Sequence, residues 1–190
     1  PLWSRGLGDV YKRQIISELK PLKLGQSKFK ANIETYNESE WGVTGWDKVT
    51  FQISTNPGTS PGPLQKIASG GELSRLLLAL RVALSAATPL PTLIFDEVDA
   101  GVGGAVAAAV GRRLKRLGDK IQVLVVTHSP QVTAEGHSHW KILKDDSKGL
   151  QRTTARELEK TERVEEIARM LSGEMITKEA RAASLKLLES

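Results

Sequence analysis

Apolar and polar residues alternate in two stretches near the start of the chain, which predicts two β-strands. Neighbouring side chains on a strand point to opposite faces, so each stretch can bury one apolar face. The apolar positions are Phe29, Ala31 and Ile33 in the first stretch and Val49, Phe51 and Ile53 in the second. The polar, glycine-containing segment 37–45 between them predicts a turn. We therefore expect a small antiparallel strand pair near the N-terminus.

From Ser69 onward, leucines recur at intervals of three and four residues, which predicts a helix. Two short apolar runs follow, 92–95 and 121–126, with a helix of small residues over 103–117 between them. Strands that are apolar throughout and alternate with helices are typical of a buried parallel sheet. A hairpin and two terminal helices are predicted to close the chain. We therefore predict an α/β fold with a mostly parallel sheet flanked by helices.

The first residues of the chain, 1–14, lack apolar periodicity and resemble the translation of a sequencing adapter. They also lack the apolar stretch of a secretory signal. We interpret them as a cloning or assembly scar, which implies that the natural protein was cut near Ile15. Residues 15–25 predict the last turns of a helix that Pro21 ends, and residues 26–190 predict one folded lobe.

Composition narrows the class of protein. The chain has 190 residues, of which 39% are hydrophobic and 26% charged, so it can bury a core and is neither disordered nor fibrous. The absence of cysteine excludes disulfide scaffolds, thiol catalysis and cysteine-ligated zinc, and is compatible with a cytoplasmic location. Its longest uncharged apolar-rich stretch is too short to span a bilayer. The net charge of +5 does not by itself argue for nucleic-acid binding.

The start of the leucine-rich helix carries the first candidate site. The sequence Ser69-Gly70-Gly71-Glu72 leaves backbone N–H groups bare at the positive end of a helix, which suits a phosphate. The same residues also fit a capping box, with Ser69 as the N-cap and Glu72 three residues later. Capping does not explain the two glycines, because glycine in a first turn costs helix stability.

Two carboxylates follow the first apolar run. Asp96 and Glu97 come directly after 92–95, and the carboxyl end of a parallel strand is where open α/β folds bind ligands. Asp96 could hold Mg²⁺, which prefers hard oxygen ligands, and Glu97 could deprotonate an attacking water. An ordinary solvated strand end is the alternative for an isolated pair of this kind.

A lone histidine, His128, follows the second apolar run. Its ring could donate a hydrogen bond to a γ-phosphate oxygen, although single histidines are more often structural. The phosphate-binding interpretation of His128 is favoured because its strand is predicted to neighbour the strand of Asp96 and Glu97. The other two histidines, His137 and His139, have too few ligand partners for zinc and are predicted to lie on the surface.

The order of these segments resembles the C-terminal half of an ATP-binding-cassette ATPase. Ser69–Glu72 resembles the signature motif, Leu93–Glu97 the Walker B segment, Asp99 the D-loop aspartate and His128 the switch histidine. The phosphate cradle of such enzymes, G-x-x-x-x-G-K-[ST], does not occur in the chain. We therefore expect the cradle in a preceding part of the natural protein.

Within that superfamily the chain resembles the RecN family, bacterial DNA-repair ATPases related to the structural-maintenance-of-chromosomes proteins. The most specific stretches are KIASGGELSR at 66–75, TLIFDEVDAGVGG at 92–104 and VTHSPQV at 126–132. A transporter nucleotide-binding subunit is one alternative, but a transporter cassette would typically carry LSGGQ and a D-loop of the SALD kind, and this chain departs from both. A catalytically inert fragment is the other.

The resemblance implies an architecture and a role for each site residue. Proteins of this family have two ATPase lobes joined by a long antiparallel coiled coil, so 15–25 would be the returning end of the coil, followed by the C-terminal lobe. ATP and Mg²⁺ would sit on the N-terminal Walker A lobe of the same protein. Asp96 would complete the metal shell, Glu97 would orient the water and His128 would contact the γ-phosphate.

The resemblance also implies partners. Ser69, Gly70, Gly71 and Glu72 of a second copy would close over the same ATP in an ATP-sandwiched homodimer, and Asp99 would report across that dimer. DNA is the further partner, in double-strand-break repair and recombination, with no membrane and a cytoplasmic, nucleoid-associated location. Without the cradle, we expect this chain alone to have no ATPase activity.

Overall fold

The computed structural model describes residues 2–43, 45–55, 57–64, 67, 69–84, 91–145 and 152–189. The chain divides into two compact units, Pro1–Pro89 and Leu90–Ser190. The helices are α1 (Leu2–Leu19), α2 (Gly70–Leu84), α3 (Gly104–Gly118), α4 (Pro130–Glu135), α5 (Lys160–Ser172) and α6 (Lys178–Leu188). The strands are β1 (Lys28–Thr35), β2 (Asp47–Ser54), β3 (Gly62–Pro63), β4 (Thr92–Asp96), β5 (Gln122–Val126), β6 (Trp140–Asp145) and β7 (Arg152–Glu157). None of the helices described is long and apolar enough to cross a membrane.

The first unit combines an antiparallel sheet with two helices. Strands β1 and β2 pair Phe29 with Ile53 and Ile33 with Val49, which confirms the predicted strand pair. The two-residue strand β3 adds to the other edge of β2. Phe29 and Ile53 are buried, whereas Ile33 and Val49 are exposed, so the core covers one end of the apolar face.

Helix α1 begins at Leu2 and packs against α2. It therefore runs through most of the segment 1–14, whose adapter origin stays a prediction. The predicted helix end is confirmed, because α1 ends at Leu19 and a 3₁₀ turn over Lys20–Leu22 follows with its proline in the first turn. Leu19 and Leu22 are buried, so apolar packing fixes this exit from the helix.

The second unit begins with the predicted strand–helix–strand element. Strands β4 and β5 are parallel, with Thr92 opposite Gln122 and Asp96 opposite Val126, and α3 is the crossover between them. Strands β6 and β7 form an antiparallel hairpin, whose turn lies outside the described residues. Helix α4 packs against α3, α5 and α6, which gathers the helices of this unit around one core.

The prediction of a mostly parallel sheet is wrong for the part of the chain that the structure describes. Its strands form three separate sheets, and β4–β5 is the single parallel pair among them. A parallel pair needs a crossover long enough for a helix, which α3 supplies. The other described strands are joined by shorter connections, so they pair antiparallel.

The β4–β5 pair is also less buried than its apolar sequence predicts. On one face Ile94, Leu124 and Val126 are 70%, 51% and 58% exposed, while the alternate residues on the other face are half-buried. An apolar run predicts a strand, but it does not reveal whether both faces are covered. Here one face presents apolar side chains to the surface.

Candidate functional site

The carboxyl ends of β4 and β5 bring three of the predicted residues to one edge of the sheet. Asp96 ends β4 opposite Val126, the last residue of β5. The N–H of Glu97 donates to the carbonyl of Val126 at 3.0 Å, which extends the ladder by one residue. His128 lies two residues beyond β5, and Asp96, Glu97 and His128 are all exposed. The topology therefore places two carboxylates and an imidazole at the edge where parallel sheets bind ligands.

Glu97 has a left-handed backbone conformation, with φ of 47°. This conformation costs a residue with a side chain about 1 kcal/mol or more, so surrounding contacts must hold it. Its N–H bond to β5 is one such contact, and its carbonyl accepts the N–H of Ala100 at 2.9 Å. The next residue, Val98, is fully buried. The Glu97 carboxylate is therefore presented on a tight turn with a defined backbone.

Asp99 lies in the interior, with 1% of its surface exposed. Its Oδ2 accepts a hydrogen bond from the hydroxyl of Thr127, and its backbone carbonyl accepts the N–H of Val102 at 3.2 Å. The resemblance implied that Asp99 reports across a dimer, which requires a side chain that a second molecule can touch. That role stays a prediction; in this structure the Asp99 carboxylate is buried and bonded within its own unit.

Thr127 and Ser129 anchor the loop on both sides of His128. The N–H of Ser129 donates to Thr127 Oγ1 at 2.9 Å. Ser129 Oγ accepts the N–H of Val132 at 3.5 Å and so caps the start of α4. Ser129 is buried, whereas His128 is exposed. The loop therefore holds the backbone of His128 and leaves its ring at the surface.

The residues that resemble a signature motif begin α2, in the first unit. The N–H of Glu72 donates to Ser69 Oγ at 3.4 Å, which supports the capping interpretation. A Cβ built on Gly70, the first helical residue, would meet no atom of the described residues within 4 Å. The packing of this chain therefore does not require glycine at that position, and the space beside the helix start is open to a ligand. Gly71 and Glu72 are half-buried in the first turn.

The β4–β5 edge offers Mg²⁺ a single protein ligand. Among the described residues, no three histidine, aspartate or glutamate side chains gather as a metal site. Mg²⁺ commonly takes one or two carboxylates and fills its other positions with phosphate oxygens and water. The exposed carboxylate of Asp96 suits that requirement as a single ligand, with the remaining oxygens coming from elsewhere.

Two residues that support the His128 loop and the helix after it were not predicted from the sequence. The position of Thr127 could have been noticed in the sequence, since its hydroxyl comes directly before His128. Nothing in the local sequence points to Arg163, because its hydrogen-bond partners lie 27 to 30 positions away. Its guanidinium donates to the carbonyls of Thr133, Ala134 and Gly136, where burial lowers the pKa of the guanidinium. A cation at the negative end of α4 stabilises the helix that follows the His128 loop.

Charged side chains between β6 and α5 neutralise one another. Glu166 accepts hydrogen bonds from Lys141 at 2.5 Å and from Arg169 at 2.6 Å. Burial opposes the charge of Glu166, but the bonds from Arg169 and Lys141 outweigh it and lower its pKa. His139 is half-buried here, which corrects the predicted surface position, and burial together with Arg163 lowers its pKa. This region is therefore a structural ion-pair network.

Known proteins match this chain over most of its length. Residues 10–151 match the sequence profile of a family described as RecF/RecN/SMC N terminal domain. A protein named DNA repair protein RecN from Xylella fastidiosa (strain 9a5c) is 46% identical over 171 residues, which are 90% of this chain and 31% of that protein. A protein of the same name from Rickettsia conorii (strain ATCC VR-613 / Malish 7) is also 46% identical over 171 residues, with the same coverage of 90% and 31%.

The chain thus spans about a third of the length of the curated relatives it matches, given the 31% coverage. Its fold is similar to a solved Smc head domain with a coiled coil and joint derived from Pyrococcus yayanosii. That likeness has a TM-score of 0.59 at 19% identity and covers 86% of this chain and 29% of that chain. At this level of identity the likeness concerns the fold alone.

Proposed function

The chain belongs to the RecF/RecN/SMC family, and from that premise we propose that it is part of an ATPase that acts in DNA repair. Its own contribution is the half of a shared ATP pocket that activates water and meets the γ-phosphate. The family resemblance predicted from the motifs is confirmed by relatives that are 46% identical. The activity of the whole protein, its DNA and its partners are parts of the proposal.

One observation carries the proposal more than any other. The parallel register of β4 and β5 aligns Asp96 with Val126, so Glu97 and His128 lie at the same sheet edge. Two carboxylates and a histidine that are separate in the sequence are thereby available to one ligand. The left-handed backbone of Glu97 adds support, because strained residues concentrate at functional sites.

Each residue has a distinct task in this proposal. The Glu97 carboxylate accepts a proton from the attacking water, and the His128 ring donates a hydrogen bond to the γ-phosphate. Mg²⁺, when bound, neutralises phosphate charge, and Asp96 is the residue that would hold it. Ser69, Gly70, Gly71 and Glu72 provide the N–H groups that meet the γ-phosphate bound to a second copy. In this proposal seven of the eight predicted site residues have the roles that the resemblance implies. The eighth residue is Asp99.

We propose that the chain is the C-terminal ATPase lobe of a longer protein of this family. The support is the order of motifs, signature before Walker B before switch histidine, and the lack of G-x-x-x-x-G-K-[ST] in the 190 residues. The Walker A lobe then belongs to another part of the same protein, and a second copy completes the pocket. The DNA sequence upstream of Ile15 tests this placement, because it should encode a coiled coil preceded by the cradle.

Glu97→Gln tests the proposed reaction. We expect the substitution, made in the full-length protein, to lower ATP hydrolysis by about 10²- to 10⁴-fold, since glutamine cannot accept the proton. ATP binding should persist, and ATP-bound dimers should accumulate in size-exclusion chromatography with light scattering. Glu174→Gln, an exposed glutamate between α5 and α6, is the matched control and should leave hydrolysis unchanged. Undiminished turnover in Glu97→Gln would reject Glu97 as the base.

A further inference from the structure

One buried side chain joins the turn after β4 to the loop after β5. Asp99 is 1% exposed, and its Oδ2 accepts a hydrogen bond from Thr127 Oγ1. The same hydroxyl accepts the N–H of Ser129 at 2.9 Å. The Thr127 hydroxyl is therefore used both as donor and as acceptor. It ties the backbone on both sides of His128 to the turn that carries Glu97.

We propose that Asp99 is a positioning residue for ATP hydrolysis, which through Thr127 fixes the spacing between Glu97 and His128. This inference rests on the proposed function. Glu97 lies two residues before Asp99, and His128 directly follows Thr127, so the one hydrogen bond connects the two short segments that carry them. A displacement of about 1 Å in a catalytic arrangement can cost on the order of 10²-fold in rate.

Fold stability alone does not explain a carboxylate at this position. Asp99 Oδ1 is buried and has no hydrogen-bond partner among the described residues. A buried polar atom without a partner is unfavourable, and replacing both members of a buried polar pair with apolar side chains of similar volume often leaves a protein at least as stable. Residues that lower the stability of a fold are expected at functional sites, where they contribute to binding or catalysis.

The opposite end of the same strand pair provides an internal comparison. Thr92 Oγ1 donates to Gln122 Oε1 at 2.8 Å, so a threonine hydroxyl also links β4 to β5 there. Both residues are exposed, and neither adjoins a predicted site residue. A Thr92→Val substitution therefore removes a similar link between the same strands without touching the proposed positioning device.

Steady-state ATP hydrolysis by the full-length protein tests the inference. We expect Thr127→Val to lower kcat about tenfold while KM for ATP stays within about twofold. Thr127→Ser keeps the hydroxyl and should keep kcat within about twofold of the unaltered protein, as should Thr92→Val. The inference is overturned if Thr127→Val retains full kcat, or if Thr127→Ser loses as much as Thr127→Val.

Asp99→Leu and the double variant Asp99→Leu/Thr127→Val together separate positioning from folding. Leucine fills a similar volume but leaves the Thr127 hydroxyl without its acceptor, so we expect the thermal unfolding midpoint of Asp99→Leu to fall. The double variant replaces both partners with apolar side chains, so its unfolding midpoint should stay the same as that of the unaltered protein or rise. We expect kcat to fall as in Thr127→Val, and the double variant Asp99→Leu/Thr127→Val to lose no more than either single variant. A fully active Asp99→Leu protein, or losses that add in the double variant, would overturn the positioning role.

Glu97→Gln in the same protein distinguishes failure of the proposed function from failure of the positioning role of Asp99. If it leaves hydrolysis undiminished, the proposed function fails and the positioning role falls with it. If it abolishes hydrolysis while Thr127→Val and Asp99→Leu keep full kcat, the positioning role alone fails. If all three lower kcat and Thr127→Ser restores it, both proposals are supported.

Discussion

The two regions that carry predicted site residues, one in each unit, are built in opposite ways. At the β4–β5 edge, the backbone around Glu97 and His128 is held by hydrogen bonds to β5 and to the buried Asp99. At the start of α2, Gly70 has open space where a side chain would stand, and Ser69 contributes one capping bond of 3.4 Å. Hydrogen bonds within the chain hold the backbone of the first region in place. The second region leaves space for a ligand beside the start of the helix.

Under the proposed function, this difference corresponds to two chemical requirements. A group that activates water must be held in a fixed position relative to the reacting phosphate. A phosphate that is bound by backbone N–H groups must instead come close to the main chain, which a side chain at that point would prevent. Buried hydrogen bonds supply the first requirement, and glycine supplies the second at some cost in helix stability.

Among the substitutions that test the difference between the two regions, we expect the largest effect on ATP hydrolysis from one that fills the space beside the start of α2. Gly70→Ala places a methyl group where the part of the chain that the structure describes has no atom within 4 Å. We expect ATP hydrolysis by the full-length protein to fall about 10²-fold, because the methyl group displaces the phosphate from the N–H groups. The stability of this chain should rise by up to about 1 kcal/mol, since alanine favours a helix over glycine.

Gly62→Ala is the matched control for that substitution. Gly62 lies in β3, and a Cβ there also meets no atom within 4 Å among the residues that the structure describes. It should leave hydrolysis unchanged. Full hydrolysis in Gly70→Ala would show that nothing approaches the helix start closely, and the contrast between the two regions would disappear.

A smaller effect concerns the stability of the helix that follows the His128 loop. Arg163→Ala removes the hydrogen bonds to the carbonyls of Thr133, Ala134 and Gly136 at the end of α4. We expect the free energy of unfolding of this chain, measured in urea, to fall by about 2 kcal/mol.

Arg156→Ala is the control, because Arg156 is an exposed partner of Glu162 and its removal should cost much less. Equal losses in the two arginine variants would refute the special role of the Arg163 bonds.

The smallest effect is a dependence of stability on pH in the second unit. Burial and Arg163 lower the pKa of His139 below its ordinary value of 6.5, so the unfolded chain binds this proton more readily. Stability should therefore fall as the pH drops below 6.5. A further loss should follow below 4.5, because hydrogen bonds lower the pKa of Glu166 against the opposing effect of burial.

Urea unfolding at a series of pH values measures this dependence. His139→Gln should flatten the loss between neutral pH and pH 5, since glutamine does not titrate. His137→Gln should leave that loss in place, because His137 is exposed beside Asp119. A pH profile that is the same for unaltered protein and His139→Gln would contradict the assignment.

Local patterns predicted the elements of the fold well. Alternation from Phe29 to Ile33 and from Val49 to Ile53 predicted a strand pair that the structure contains. The apolar runs around α3 predicted the parallel pair that places Asp96 and His128 at one edge. Each of these signals is contained within one segment, so no knowledge of distant contacts was needed.

Features that depend on distant contacts could not be predicted in the same way. The hydrogen bond of the buried Asp99 had no local signal, because its partner Thr127 lies 28 residues further along the chain. The exposed face of β4–β5 depends on which elements cover it, which the apolar runs do not encode. The prediction of a mostly parallel sheet failed because it extended the pattern around α3 to strands with short connections.

ATP hydrolysis by the purified chain, alone and mixed with the lobe that carries G-x-x-x-x-G-K-[ST], tests the central claim most directly. We predict no hydrolysis above background for the chain alone, and hydrolysis on mixing that Glu97→Gln abolishes. Turnover by the chain alone would contradict the claim, because it would mean that these 190 residues contain a complete ATP site.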